Sequence, residues 1–177
     1  MNILALCGSL RAQSRSLALL EATGLLASGA MAFSIFDQLG ALPLFNPDIE
    51  ACAPAPVHAL WHAVTQADAI IIASPEYAHG VTGTIKNTLD WLVGHPPFVD
   101  KPVAVFNPSH RAEHADESLR ETLRTMSARL IPGACLRIPA TGCELGAAEM
   151  ACSSPFAETL LAALSAIENF VAMTETK

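Results

Sequence analysis

The chain has 177 residues, of which 51% are hydrophobic and 6% aromatic, and its formal net charge is −7. This length predicts one domain, residues 1–177, with a core that needs no disulfide or metal. The acidic balance and the few aromatic side chains exclude the basic, base-stacking surface that a nucleic-acid partner requires. The first residues, MNILALCGSL, predict a strand rather than a basic leader, and no window approaches a membrane span, so we expect a cytoplasmic protein without a membrane partner.

Cysteine and histidine spacing gives no support to a disulfide framework or a metal site. His58/His62 and His110/His114 have the i, i+4 spacing of ligands on a helix, but neither pair has a third ligand or the glutamate of an HExxH motif. The five cysteines are widely spaced and include no CxxC pair, which favours reduced thiols: Cys7, Cys52, Cys135, Cys143 and Cys152. We therefore expect no bound metal.

Five short segments predict β-strands. Residues 2–7 (NILALC), 69–73 (AIIIA) and 102–106 (PVAVF) are apolar throughout, which is typical of parallel strands covered on both faces. Residues 31–37 (MAFSIFD) and 134–138 (ACLRI) are weaker candidates.

Each strand candidate is followed by a segment with helical periodicity, so the predicted order is βαβαβαβαβα. In four of these segments, residues that share one helix face recur every three or four positions: Leu17, Leu20 and Gly24; Val57, Leu60, Trp61 and Val64; Leu119, Leu123, Met126 and Leu130; Phe156, Leu160, Leu164, Ile167 and Val171. This order predicts an α/β fold, a three-layer, doubly wound, five-stranded parallel sheet of order 2-1-3-4-5. A ligand site in such a sheet lies at the carboxyl ends of strands one and three.

The loop after the first strand, CGSLRAQSRSLAL, has features of a phosphate site. It lacks both the GxGxxG pattern of dinucleotide-binding folds and the GxxxxGK[ST] nucleotide loop. At a helix N-terminus it offers one glycine, three hydroxyls and one guanidinium: Gly8, Ser9, Ser14, Ser16 and Arg11. Together these donors suit a single terminal phosphate. The alternative is that Ser14 only caps the helix and Arg11 is solvated.

The loop after the third strand, SPEYAHGVTG, is longer and more polar than packing requires. Pro75 makes the exit from the sheet rigid, while Gly80 and Gly83 let the backbone approach a flat ligand. The backbone amides of residues 76–78 can then face a polar-edged ring, whereas we expect the Glu76 side chain to be solvated. A phosphate site and a ring site in one crevice indicate a mononucleotide.

Three motifs resemble the NADPH-dependent FMN reductase family of flavodoxin-like proteins: GSLRxxS at 8–14, LPLFNPDIE at 42–50 and SPEYxxGxxGxIKNxLDW at 74–91. The resemblance implies a flavodoxin-like fold that binds FMN. It implies phosphate contacts from Ser9, Arg11, Ser14 and Ser16, flavin contacts from Pro75, Glu76, Tyr77 and Ala78, and a further contact from Ser109 after the fourth strand.

The same resemblance implies an enzyme that transfers a hydride from NADPH to FMN and on to a small acceptor. A quinone, an azo compound, a metal oxyanion or free flavin all fit as acceptors. The chemistry takes place at flavin N5, so no side chain is expected to be catalytic. Two alternatives stay open, an FMN electron carrier without NAD(P)H oxidase activity and a flavin-free binding protein. The scattered acidic residues do not form the docking face that a carrier needs, which favours the enzyme.

Two further segments carry expectations about partners. After the fourth strand the family usually has a glycine-rich turn, but this chain has NPSHRAEHADESL. We interpret His110, Arg111 and His114 as a basic rim that selects NADPH over NADH through its 2′-phosphate, the alternative being a solvated helix entry. The apolar segment ALPLF (41–45) is poorly explained as a solvated surface and predicts a homodimer or homotetramer.

Overall fold

Strands and helices alternate along most of the chain in this computed structural model, which describes residues 1–175. The strands are β1 Asn2–Cys7, β2 Ala32–Ile35, β3 Ala69–Ala73, β4 Glu76–Tyr77, β5 Gly80–Val81, β6 Pro102–Asn107, β7 Arg129–Leu130 and β8 Leu136–Arg137. The helices are α1 Arg15–Leu26, α2 Ala55–Gln66, α3 Gly83–Val93, α4 Glu113–Thr125, α5 Ala147–Cys152 and α6 Ser154–Glu175.

The main sheet is parallel and has the order β2-β1-β3-β6-β7, with β8 also paired to β6. The predicted α/β class and the order 2-1-3-4-5 are confirmed. The fifth position, however, is shared by two short segments, because β7 pairs with the start of β6 and β8 with its end. A 3₁₀ turn at Pro132–Ala134 separates them, since proline has no N–H to donate to a ladder. The predicted strand 134–138 is therefore reduced to Leu136–Arg137.

Alternate strand residues face two separate apolar cores. In β1, Ile3 and Ala5 pack towards α1, α5 and α6, while Leu4 and Leu6 pack towards α2, α3 and α4. Successive strand side chains point to opposite faces, so a strand between two helical layers must be apolar at nearly every position. This explains the continuous apolar sequences of β1, β3 and β6 and confirms the three layers.

Two connections differ from the sequence prediction. The periodic pattern 119–130 placed Leu130 in a helix, but α4 ends at Thr125 and Leu130 pairs with Val103 in the sheet. Ser127, at φ 61°, turns the chain between them. The segment after β3 is also not loop throughout, because it contains the antiparallel hairpin β4–β5.

Helix α6 corrects the expectation about membrane-spanning windows. Ser154–Thr174 is long and apolar enough to cross a membrane, judged by length and composition only. In the structure, Leu160, Leu164 and Ile167 on one face of α6 are buried against the sheet. Packing of this kind accounts for the apolar side chains on that face.

Candidate functional site

A cleft of about 580 Å³ opens at the carboxyl ends of the central strands. Small-molecule sites have volumes of roughly 300–1,000 Å³. Eight of the residues predicted to bind cofactor line the cleft: Ser9, Arg11, Ser14, Ser16, Pro75, Glu76, Tyr77 and Ser109. The ninth, Ala78, lies at the tip of the β4–β5 hairpin rather than in the cleft wall.

Gly8 allows the two loops that form the cleft to touch. Its N–H donates to the carbonyl oxygen of Ala73 at 2.8 Å, beside the end of β3. A Cβ atom placed on Gly8 would lie 2.3 Å from Ser74 Oγ and 2.8 Å from Ile85 Cγ1, which are impossible contacts. Only glycine therefore permits the loop after β1 to pass so close to the loop after β3.

The serine hydroxyls of the first loop are already ordered by the protein. Ser14 Oγ accepts a hydrogen bond from Leu17 N–H at 3.2 Å and caps α1, and Ser9 Oγ accepts one from Arg11 N–H at 3.4 Å. Helix capping by Ser14, the alternative raised from the sequence, is thus present. It does not preclude ligand binding, because a hydroxyl that accepts a hydrogen bond still has its own proton to donate.

The Cys7 thiol, at the end of β1, contacts this loop. Its Sγ donates to the carbonyl oxygen of Ser9 at 3.3 Å and lies 3.9 Å from Ser14 Oγ. Burial raises the pKa of Cys7 above its ordinary value, which keeps the thiol protonated. A protonated thiol is a poor nucleophile, so Cys7 has a structural place in the site.

Two guanidinium groups face the cleft without a partner among the described residues. Among the lysine and arginine side chains that the structure describes, the others contact carboxylates, carbonyl oxygens or the Phe170 ring. Arg11 and Arg111 have no such contact, and both line the cleft. In a chain of net charge −7, this arrangement favours an anionic ligand.

The β4–β5 hairpin forms another wall and turns in an unexpected way. Glu76 pairs with Val81 and Tyr77 with Gly80. The turn residues Ala78 (φ 50°) and His79 (φ 59°) both adopt the left-handed conformation. Gly80 and Gly83, from which a close approach to a ligand is expected, do not adopt a positive φ.

The Glu76 side chain is largely buried, contrary to the expectation that it is solvated. It is 12% exposed, and its Oε2 accepts a hydrogen bond from Ala115 N–H at 2.8 Å. Ala115 lies in the first turn of α4, a helix that has no capping side chain at Ala112. The other carboxylate oxygen, Oε1, lies 3.2 Å from His79 Nδ1. Glu76 therefore satisfies an otherwise unpaired helix N–H and connects the hairpin to α4.

The turn after β6 brings Ser109 and Arg111 into the cleft. The buried Asn107 directs this turn: its Oδ1 accepts from Ser109 N–H at 3.0 Å and its Nδ2 donates to Ala112 O at 2.7 Å. His110 and His114 do not line the cleft, and His114 packs on His79 instead. The basic rim expected from the sequence is thus reduced, at the cleft itself, to Arg111.

Sequence reasoning missed the residues that hold the segment 42–45. Asn87 accepts a hydrogen bond from Phe45 N–H at 2.8 Å and donates one to Pro43 O at 2.9 Å. Trp91 Nε1 donates to the same carbonyl oxygen at 2.8 Å. The motifs at 42–50 and 74–91 are therefore joined in space, and the first of them presents Leu44 to solvent.

The segment 141–144 completes the cleft and was also missed. Thr141 Oγ1 donates to Pro108 O at 3.0 Å, and Gly142 turns the chain at φ 82°. Cys143 and Glu144 follow in the cleft wall. The sequence TGCELG signals a turn, but a turn signal does not reveal which part of the molecule the turn faces.

Known proteins resemble this chain in both sequence and structure. The profile of the NADPH-dependent FMN reductase family matches residues 1–141. An NAD(P)H-dependent FMN reductase of Pseudomonas aeruginosa is 37% identical over 130 residues, which is 70% of this chain and 69% of that protein. A quinone reductase of Escherichia coli K12 is 33% identical over 109 residues, 59% of this chain and 58% of that protein. The structure of FerB, a flavoenzyme NAD(P)H:(acceptor) oxidoreductase of Paracoccus denitrificans, matches with a TM-score of 0.80 at 26% identity, over 97% of each chain.

Proposed function

This chain belongs to the NADPH-dependent FMN reductase family, and from that premise we propose that it is an FMN-dependent NAD(P)H oxidoreductase acting on a small acceptor of the quinone or flavin type. The observation that carries the proposal is the cleft at the carboxyl ends of the sheet, where the first loop, the hairpin and Arg111 meet. Support for the acceptor class comes from relatives whose names include quinone reductase and 2-hydroxy-1,4-benzoquinone reductase.

The residues present in the cleft fit FMN. A single phosphate needs donors of the kind present here: the Arg11 guanidinium, the N-terminus of α1, and the hydroxyls of Ser9, Ser14 and Ser16. We assign the ring to the wall formed by Pro75, Glu76 and Tyr77.

Bound FMN supplies the hydride chemistry between NAD(P)H and the acceptor. The protein's part is to bind and orient. The first loop anchors the phosphate, and the rigid exit at Pro75 holds the hairpin wall in a fixed place beside the ring. Polar backbone groups on that wall can stabilise negative charge on the ring without a catalytic acid or base.

We assign Arg111 as the contact that favours NADPH over NADH. Its guanidinium lines the same cleft as Arg11, has no partner among the described residues, and is separated from Arg11 along the chain by five strands. A guanidinium matches the geometry of a phosphate, and the 2′-phosphate is the group that distinguishes the two donors. His110 and His114 have no direct part in this assignment, because neither lines the cleft.

A homo-oligomer is also proposed, either a dimer or a tetramer. Leu44 is 83% exposed and Leu10 is 65% exposed. Leu10 lies against Gly40, so its side chain lies beside the segment 41–45, which carries Leu44 and is anchored to Asn87 and Trp91 through Pro43. Two exposed apolar side chains of this size are explained by a second copy that covers them.

The proposed setting is cytoplasmic, with NAD(P)H and a small acceptor as partners. The acidic net charge of −7 opposes association with nucleic acid and with anionic membrane surfaces. These features support the setting that the sequence predicts.

The proposal is tested by cofactor binding and by turnover. The purified protein is expected to be yellow, to bind FMN more tightly than riboflavin, and to oxidise NADPH when a quinone is added. Removing one charged hydrogen-bond donor should weaken FMN roughly ten- to a hundredfold, so Arg11→Ala should show that loss while Arg124→Ala, on the surface of α4, should not.

Equal affinities for FMN and riboflavin in a fluorescence titration would contradict the phosphate assignment. A yellow protein that does not oxidise NAD(P)H would instead be an electron carrier. A colourless protein with no measurable affinity for either flavin would be a binding protein of another kind.

A further inference from the structure

The tip of the hairpin lacks the residues that most favour its backbone conformation. A two-residue hairpin turn with both central φ angles positive is of the type that prefers asparagine and glycine. This chain places Ala78 and His79 there, at φ 50° and 59°. Two consecutive residues with a Cβ in the left-handed region are strained, and such strain persists only where the surroundings hold it.

Three side chains provide that hold. The His79 ring lies between the buried Glu76 carboxylate, 3.2 Å from its Nδ1, and the His114 ring, whose centroid is 4.5 Å away at an interplanar angle of 87°. Glu76 in turn accepts the Ala115 N–H of α4. His79 belongs to the hairpin and His114 to the helix, so the cluster joins two elements that border the cleft.

We propose that Glu76, His79 and His114, here called the hairpin clasp, hold the β4–β5 hairpin in the conformation that flavin binding requires. The proposal rests on the proposed function, because it assigns the clasp to the wall against which the ring would lie. His79 and His114 act as positioning residues, since neither lines the cleft. The clasp replaces the favourable turn residues that this hairpin lacks.

Linkage between hairpin and ligand gives the expected effect. A ligand that binds only the formed hairpin has an apparent dissociation constant raised by the inverse of the formed fraction. The loss of one contact as strong as a hydrogen bond should therefore weaken FMN binding roughly three- to tenfold. We expect this loss in His79→Ala and in His114→Ala. The double variant should weaken FMN binding by no more than about twice the factor seen in either single variant, because both substitutions act on the same hairpin equilibrium.

The decisive comparison is between His79→Ala and His79→Gly. Both variants remove the imidazole, but only glycine adopts the left-handed conformation without strain. We expect His79→Gly to bind FMN within about twofold of the wild-type protein. A direct contact between imidazole and ligand would make the two variants equally weak, which would overturn the proposal.

The experiment titrates each apoprotein with FMN by flavin fluorescence and records its thermal midpoint without flavin. His110→Ala is the matched control, since His110 lies in the same turn as Arg111 and outside the clasp. It should bind FMN as the wild-type protein does.

The outcomes distinguish a failure of the proposed function from a failure of the hairpin clasp. A wild-type protein that fails to bind FMN overturns the proposed function. A wild-type protein that binds FMN, with His79→Ala and His114→Ala unchanged, overturns the clasp alone. Weak binding by His79→Ala with recovery in His79→Gly, at similar thermal midpoints of the apoproteins, supports it.

Discussion

Gly8 lies where the loop after β1 passes the loop after β3, and the absence of a side chain there lets the two halves of the cleft meet. At the scale of a single residue, this is a steric requirement. Arg11 and Arg111 add the electrostatic requirement, because their guanidinium groups have no partner in the part of the chain that the structure describes and so are available to a ligand. The close approach at Gly8 therefore sets the shape of the cleft, and the charges of Arg11 and Arg111 favour an anionic ligand.

Replacing Gly8 with alanine should separate the two loops. The added Cβ would collide with Ser74 and Ile85, and overpacking of this kind costs about 1–3 kcal/mol of folding free energy. Urea unfolding of Gly8→Ala should show that loss, together with weaker FMN binding. Gly29→Ala is the control, since a Cβ there meets nothing within 4 Å. Equal behaviour of the two variants would mean that the close approach is not needed.

Replacing Arg111 with alanine should reduce the preference for NADPH. Loss of a charged hydrogen bond to the 2′-phosphate should lower kcat/KM for NADPH roughly tenfold and leave kcat/KM for NADH unchanged. Steady-state kinetics with both donors and one quinone provide the measurement. If kcat/KM falls equally for NADPH and NADH, Arg111 does not contact the 2′-phosphate.

At the scale of secondary-structure elements, Trp61 of α2 contacts both Trp91 of α3 and His95, which lies just beyond the end of α3. The rings of Trp61 and His95 stack at 5.8 Å with an interplanar angle of 8°, and Trp61 Nε1 donates to Trp91 O at 2.7 Å. Burial lowers the pKa of His95, and the nearby Lys101 charge lowers it further, while a hydrogen bond with the Trp61 backbone opposes the shift. The neutral imidazole is thus the form that this contact favours.

This contact should weaken in acid. Because the folded pKa of His95 lies below the unfolded value, the unfolded chain binds the proton more readily, and the free energy of unfolding falls as pH drops through the unfolded pKa. Urea midpoints measured from about pH 7.5 to about pH 5 should fall less in His95→Gln than in the wild-type protein. His62→Gln, at an exposed position on α2, should keep the wild-type slope. Parallel curves for His95→Gln and the wild-type protein would contradict the assignment.

At the scale of the whole molecule, the sheet separates two apolar cores, and the cleft lies at one edge where loops from both sides meet. The segment 41–45 lies on the layer formed by α2, α3 and α4, anchored to α3 by Asn87 and Trp91. Its apolar tip at Leu44 faces outward rather than into either core. An interface with a second copy is the arrangement that would bury it.

The oligomer prediction follows from that exposed tip. Light scattering at micromolar concentration should give the mass of a dimer or tetramer for the wild-type protein. Leu44→Asp should shift the mass towards the monomer, because a carboxylate placed in an apolar interface loses its hydration. Leu25→Asp, an equally apolar exposed position on α1, is the control and should retain the wild-type mass. A wild-type monomer would contradict the prediction.

Sequence reasoning succeeded where a local pattern has one physical cause. Strands such as AIIIA are apolar at every position because helices cover both faces, so class and strand order could be read from the sequence. It failed where a distant partner decides the outcome. Leu130 continued a helical period yet pairs with Val103, and Glu76 resembled a solvated acid yet caps α4. The sequence also carried no signal for the left-handed positions of the hairpin, which fall on Ala78 and His79 rather than on glycine.

The sequence by itself determined the alternation of strands and helices, the position of the cleft at the strand ends, and the motifs that mark the family. The first two follow from periodicity and spacing, which depend only on neighbours along the chain, and the third from the resemblance of the motifs. Only the tertiary structure decided that His114 meets His79, that Ser109 and Arg111 face the cleft, and that segment 141–144 closes it. These arrangements bring together residues far apart in sequence, and the packing of the whole sheet fixes them.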